Sequence, residues 1–226
     1  MMDDDRLYAV ISGDIVESRR FMEKGPALRD AIKGAGANCA EAFEGAVCGT
    51  PPIVVFAGDS WQMLINSPAP ALRVALCMRT LIKSSERLAK ADTRLAIGIG
   101  TVEFIDRDNL AESQGEAFTL SGEALDLLRN DGLRIAVRLP QAGDDGPFDA
   151  QDTLDAMMTL LDAVCGEWTS RQSAIVAGAL MGLDQMRIGD RLSITQPAVS
   201  QALRSAGWPS VEQTVRWWEH CRWERL

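Results

Sequence analysis

The sequence predicts an α+β fold: a ferredoxin-like sheet-and-helix unit followed by an all-α unit built round a helix-turn-helix. Three observations predict it. Apolar runs at residues 7–11, 53–57, 61–65, 94–102 and 133–139 read as strands, interleaved with helical periodicities in the order β-α-β-β-α-β and then α-β. That order is the split βαβ pattern. A break at residues 140–150, PQAGDDGPFDA, is dense in Pro, Gly and Asp. Beyond it only helical periods recur, so the chain divides into units 1–139 and 151–226 about a linker.

The first run, Leu7 to Ile11, is unbroken and suits a strand buried on both faces. Ser12, Gly13 and Asp14 follow it, so Asp14 is expected where a central strand leaves the sheet. Pro26 fits the start of a helix carrying Leu28, Ile32, Ala35, Cys39, Ala42 and Phe43 at helical spacing. Ile53 to Ala57, Gly58-Asp59, then Trp61, Met63 and Ile65 form a hairpin signal with Asp59 at its tip. Residues 69–91 carry an apolar helical stripe through Leu72, Leu76, Ile82 and Leu88. RLAIGIGTV, from Arg94, reads as a strand whose Gly98 and Gly100 admit a close neighbour. After a polar loop, residues 117–130 read as a helix with Leu120, Ala124, Leu127 and Leu128 on one face, and Leu133 to Leu139 as a last strand.

Composition narrows the chemistry. Of 226 residues, 46% are hydrophobic and 24% charged, as in ordinary globular proteins. No apolar segment approaches the roughly 18 residues that span a bilayer. The start, MMDDDR, lacks the basic and apolar regions of a secretion signal, so a cytoplasmic location without membrane partners is expected. Five irregularly spaced cysteines suggest neither disulfides nor zinc. His220 is the only histidine, which argues against a serine–histidine triad; acid–base or metal chemistry must rest on carboxylates.

The topology brings Asp14 and Asp59 together although they lie 45 positions apart. Asp after Gly is common in turns, and each taken alone reads as a turn residue. As a pair they repel unless they protonate or share a cation. Mg²⁺ is the natural guest, because it takes one or two carboxylates together with water and phosphate oxygens. Arg19 and Arg20 suit a phosphate or a solvated face equally.

The segments GDIVESR, FAGDSWQ, RLAIGIGTVEF and GEAFTLSGEAL, in this order across most of residues 7–130, resemble the SatD family. That family is more distantly similar to class III nucleotidyl cyclases, whose ferredoxin-like core binds two metal ions over a nucleoside triphosphate. The resemblance implies metal ligation by Asp14, Asp59 and the carbonyl of Ile15. It also implies nucleotide binding by Arg19, Gly58 and Gly115, and a homodimer. One departure counts against turnover. Where the cyclases carry a transition-state Asn and, four residues on, an Arg, this chain has Thr119 and Glu123. An acidic side chain opposes charge developing on phosphate, so no catalytic residue is expected.

The second unit carries different chemistry. From Gly166 onward there are seven Arg, no Lys and six acidic residues, a net +1, whereas the remaining 16 basic and 26 acidic residues give −10. Residues 153–164 read as an amphipathic helix. Thr169 caps a helix over 170–182, and residues 186–192, a Ser193-Ile194-Thr195 turn and a helix capped by Thr195 follow. IGDRLSITQPAVSQALRSAG resembles the helix-turn-helix of many bacterial regulators, with Ile188, Leu192, Ile194, Val199 and Leu203 as its core. Thr195, Gln196, Ser200, Gln201 and Arg204 would then face the major groove, where Gln reads adenine and Arg reads guanine or holds phosphate. The tail from Ser210 to Leu226 reads as a capped, Trp-rich helix for packing or dimer contact.

The expected function is therefore a DNA-binding transcriptional regulator with a cyclase-like sensor or dimerisation unit and a nucleotide effector. The alternative is a divalent-metal-dependent, nucleotide-binding enzyme related to the cyclases.

Overall fold

The computed structural model describes residues 6–56, 58–88, 90–106, 109–140 and 150–223. The structure is mixed α+β. Strand β1 (Tyr8–Ile15) leads through a 3-10 turn, Ser18–Lys24, into helix α1 (Gly25–Ala42). Strands β2 (Val47–Cys48), β3 (Val54–Phe56) and β4 (Ser60–Ile65) follow, then helix α2 (Ala71–Lys83), strand β5 (Thr93–Gly100), helix α3 (Glu116–Asp131) and strand β6 (Ile135–Arg138). The sheet order is β2-β4-β1-β5-β6, with β3 also on β4. Every pairing is antiparallel except β5 with β6. The second hairpin strand thus lies beside β1, as the order of elements anticipates.

Several expectations change in detail. Ser12, Gly13 and Asp14 are strand residues, so β1 is longer than its apolar run. Gly13 has a packing role: a Cβ there would lie 2.4 Å from the indole carbons of Trp61 and 2.7 Å from the carbonyl oxygen of Arg94. Helix α2 stops at Lys83, and residues 86–88 form a separate 3-10 turn. On α3 it is Leu125 that is buried, while Leu127 is 44% exposed. The short β2 has too few residues to show a period, and it was not foreseen. The expected linker lies largely outside the described residues.

Alternation on β1 makes two layers. Ala9, Ile11 and Ile15 belong to the large apolar cluster under α1 and α2, whereas Val10 joins Val102, Leu110 and Ala117 on the α3 side. Ser12, on the α3 side, meets Ser121 of α3 at 2.9 Å and accepts from Gln62 at 3.0 Å.

Among the described residues five helices follow: α4 (Ala150–Gly166), α5 (Ser170–Leu180), α6 (Gln185–Leu192), α7 (Gln196–Ser205) and α8 (Trp208–Glu219). The tail helix is therefore α8, shorter than the expected 210–226. The large apolar cluster under α1 and α2 continues into these helices through Leu154, Met158, Ile175, Val176, Val215 and Trp218. Polar ties fix the junction. Arg73 of α2 grips Glu219 at 2.5 and 2.9 Å, and the Trp218 indole N–H donates to the Pro68 carbonyl at 2.8 Å.

A buried charge cluster adds to these ties. Arg79 is fully buried; it donates twice to Asp92, at 2.9 and 3.0 Å, and once to Asp162 of α4, at 2.6 Å. Burial works to lower the Arg79 pKa, but the hydrogen bonds and charges of Asp92 and Asp162 prevail and raise it. Burial likewise opposes ionisation of Asp92, yet Arg79, Lys83 and Arg134 hold its carboxyl below the usual range. Lys83 closes the cluster by donating to the Gly166 carbonyl at 2.7 Å.

Candidate functional site

Two regions carry the residues singled out above. The first is the end of β1. Asp14 faces Ser60 of β4 and Arg94 of β5 across the sheet, and the Ile15 N–H donates to the Asp59 carbonyl at 3.2 Å. The hairpin turn that carries Asp59 therefore meets the end of β1 next to Asp14. The Asp14 carboxylate is 9% exposed. Its Oδ1 accepts from Arg94 at 3.0 Å and its Oδ2 from Arg129 of α3 at 3.0 Å. The hydrogen bond to Asp14 raises the Arg129 pKa against desolvation, and the charges of Asp126 and Asp59 add to it.

Two guanidinium groups thus meet Asp14. Sequence reasoning missed both, although Arg94 stands at the start of the run read as a strand and pairs with Asp14 across the sheet. This donor set does not fit a dication as arranged: each oxygen of Asp14 already accepts from a cation. Among the described residues no group of three or more His, Cys, Asp or Glu is placed to hold a metal ion.

The expected nucleotide positions separate. Gly58 adjoins Asp59 in the hairpin turn with φ +92°, and Arg19 is exposed in the 3-10 turn after β1. Gly115 caps the opposite end of α3 from Arg129, roughly 20 Å away along the helix at 1.5 Å per residue. There it borders a groove of about 560 Å³ that includes Thr119 and three carboxylates, Glu103, Glu116 and Glu123. Such a lining repels phosphate.

The second region is α6, the turn and α7. Asp184 caps α6 by accepting from the Arg187 N–H at 2.8 Å. Ser193 turns the chain in the left-handed region, φ 53° and ψ 46°, and the Ile194 N–H returns to the Gly189 carbonyl at 2.9 Å. A Cβ on Gly189 would come within 2.7 Å of the Ile194 carbonyl oxygen, so the first helix can approach the turn only with glycine there. Ile188, Val199 and Leu203 are buried, while Leu192 and Ile194 pack against them partly buried.

Thr195 occupies the N-cap position of α7, but its side chain makes no cap bond, contrary to expectation; Pro197 stiffens the first turn. Thr195, Gln196, Gln201 and Arg204 are exposed and Ser200 is half-buried. Behind them, α5 begins with a full capping box between Thr169 and Gln172, and Trp168 donates to the Ala206 carbonyl at 2.7 Å. The Trp168 bond holds the C-terminal end of α7. His220 is exposed, with Nδ1 2.6 Å from the Arg216 carbonyl, outside both regions.

No protein-family model matches the chain, and no curated protein matches it. The SatD likeness therefore rests on the sequence segments alone. Solved structures similar to the chain include a bacterial light-regulated adenylyl cyclase, at 15% identity and TM-score 0.42, covering 58% of this chain and 43% of that one. A second structure of a bacterial light-regulated adenylyl cyclase gives 14% identity and TM-score 0.43 over 58% and 43%. The active GGEEF domain of a diguanylate cyclase from Vibrio cholerae gives 15% identity and TM-score 0.41, covering 61% of this chain and 85% of that domain. The chain thus spans less than half the length of the adenylyl cyclases. Likenesses at this level fix no residue's role. No helix among the described residues is long and apolar enough to cross a membrane.

Proposed function

We propose that the chain is a DNA-binding transcriptional regulator: residues 151–226 grip a duplex through α6 and α7, and residues 1–139 serve as a sensor or dimerisation unit. One observation carries this reading. A short helix, α7, is held by a glycine-dependent turn and an apolar inner face, and its outer face offers Thr195, Gln196, Gln201 and Arg204 to solvent. A helix presented in this way suits the major groove, with its first turns on the base edges. Net charge counts against the reading: residues 151–226 carry seven Arg and nine acidic residues, so general attraction to phosphate is weak and the grip must rest on the face of α7. Selection of bound sequences from a random duplex pool by the full chain tests the reading. Enrichment of a common motif is the expected result, and recovery of the unenriched pool removes it.

The second reading is a divalent-metal-dependent, nucleotide-binding enzyme with Mg²⁺ at Asp14, Asp59 and the Ile15 carbonyl. The backbone contact between Ile15 and Asp59 favours it, since it sets the hairpin turn that carries Asp59 beside the end of β1. It requires Arg94 and Arg129 to release Asp14. Titration calorimetry with ATP or GTP, with and without Mg²⁺, separates the two readings.

A further inference from the structure

We infer that the cleft between the end of α2 and helices α5 and α6 is a binding site for a free α-amino acid with an aliphatic or thioether side chain. The cleft has a volume of about 260 Å³. Sites for drug-sized ligands start at about 300 Å³, so this one suits a smaller molecule than a nucleotide. Its walls are apolar. Leu81 of α2, Met181 after α5 and Leu192 of α6 line it, and all three are half-buried. They leave hydrocarbon in contact with solvent that a ligand side chain would cover. Gly178 of α5 lets the floor close: a Cβ there would lie 2.8 Å from the Ile188 side chain of α6.

Two opposite charges border the same cleft. Glu86 belongs to the 3-10 turn after α2, and Arg191 to the last turn of α6. Both are exposed, and among the described residues neither makes a hydrogen bond or an ion pair, with the other or with any third group. An unpaired carboxylate and an unpaired guanidinium on one small hollow complement the two ends of a zwitterion. Arg191 suits the ligand carboxylate, which its planar fork can hold by two parallel hydrogen bonds. Glu86 suits the ammonium, and that end has further support. Helix α2 ends at Lys83 with Ser84 as its C-cap, and a helix C-terminus favours a cation. The Ser84 hydroxyl, also on the cleft, donates to the Leu81 carbonyl at 3.1 Å and keeps its lone pairs for the ammonium. A simple anion or amine would satisfy one end only, and glycine would leave the apolar walls uncovered. One wall belongs to residues 1–139 and the other to 151–226, so the bound amino acid would bridge the two units.

Titration calorimetry of the full chain with free leucine and free methionine tests the site. Glycine, isocaproate and isoamylamine are the controls; they lack the apolar side chain, the ammonium and the carboxylate in turn. Leucine or methionine should give saturable heat, and each control should bind at least about tenfold more weakly, as for the loss of one hydrogen bond to a charged group or of one buried aliphatic side chain. Glu86→Gln and Arg191→Gln alter exposed side chains without partners, so both variants should melt as the unaltered chain does. Each should bind the amino acid about tenfold more weakly. Absence of saturable heat with both amino acids overturns the inference. So does glycine binding as tightly as leucine and methionine, or full affinity in both variants. No duplex enters the measurement, so a failed titration leaves the DNA reading standing, and a failed duplex selection leaves the site standing.

Discussion

The Arg129 guanidinium lies 3.0 Å from the Asp14 carboxylate, joining the last turn of α3 to the end of the central strand across 115 residues of chain. Arg94 reaches the other oxygen of the same carboxylate at 3.0 Å. A buried carboxylate is costly without such partners. The two arginines differ in exposure, at 23% for the Arg94 side chain and 46% for Arg129. Arg94→Leu is therefore expected to cost about 1.5–3 kcal/mol, as for a hydrogen bond to a charged group, and Arg129→Leu about 0–1 kcal/mol. Urea denaturation measures both; equal costs would contradict the ranking.

The same pairing sets the expectation for metal. With both Asp14 oxygens engaged, the unaltered chain should show no Mg²⁺-dependent heat with ATP or GTP in calorimetry. If such binding is found, Asp14→Asn with Asp59→Asn should abolish it, which would establish the second reading. Conversion of either nucleotide to a cyclic product would overturn the argument drawn from Thr119 and Glu123.

The cluster at Arg79 predicts acid sensitivity. Asp92 is held ionised below the usual carboxylate range in the folded chain. Its contribution is therefore complete above that range and is lost as pH falls through it toward the folded value. Asp92→Asn should flatten the acid limb of a stability–pH curve and cost about 3–5 kcal/mol near neutrality, because Arg79 stays buried with one partner gone. An unchanged acid limb would show that other carboxylates dominate it.

On α7, Gln201→Ala and Arg204→Ala should each weaken binding to a selected duplex by about 1–3 kcal/mol if they touch bases. If Arg204 touches phosphate instead, its loss should be uniform across sequences and reduce the salt slope by about 0.9. Filter-binding at several salt concentrations distinguishes these. Unchanged affinity in both variants would take α7 off the duplex.

Two glycines test the frame. Gly13→Ala drives a methyl into the Trp61 ring, and Gly189→Ala drives one into the Ile194 carbonyl. Overpacking of this kind costs about 1–3 kcal/mol. Gly13→Ala should lower thermal stability with little effect on DNA affinity, whereas Gly189→Ala should lower both, because it displaces the turn that aims α7. Melting curves beside binding isotherms check the contrast.

Much of this was readable in the residue order. Periodicity located most of the elements, because a strand or helix with one buried face repeats every two or 3.6 residues. It ended the first apolar run before Ser12-Gly13, which the structure keeps within β1. Glycine in a strand looks like a turn glycine until the indole of Trp61, 48 residues away, is seen to cross it. It also put Leu127 on the buried face in place of Leu125, a small error in helical phase that apolar neighbours on both sides concealed.

Local pattern thus determined the α+β order of elements, the hairpin that sets Asp59 beside β1, and the glycine-punctuated pair of C-terminal helices. It also posed the demand at Asp14, since a carboxylate ending an apolar strand must find a partner. Tertiary structure alone decided which partner: Arg94 by strand register and Arg129 by the seat of α3 on the sheet. It alone buried Arg79 against Asp162. Contacts between distant side chains depend on how faces stack and rotate, and no spacing along the chain encodes that geometry.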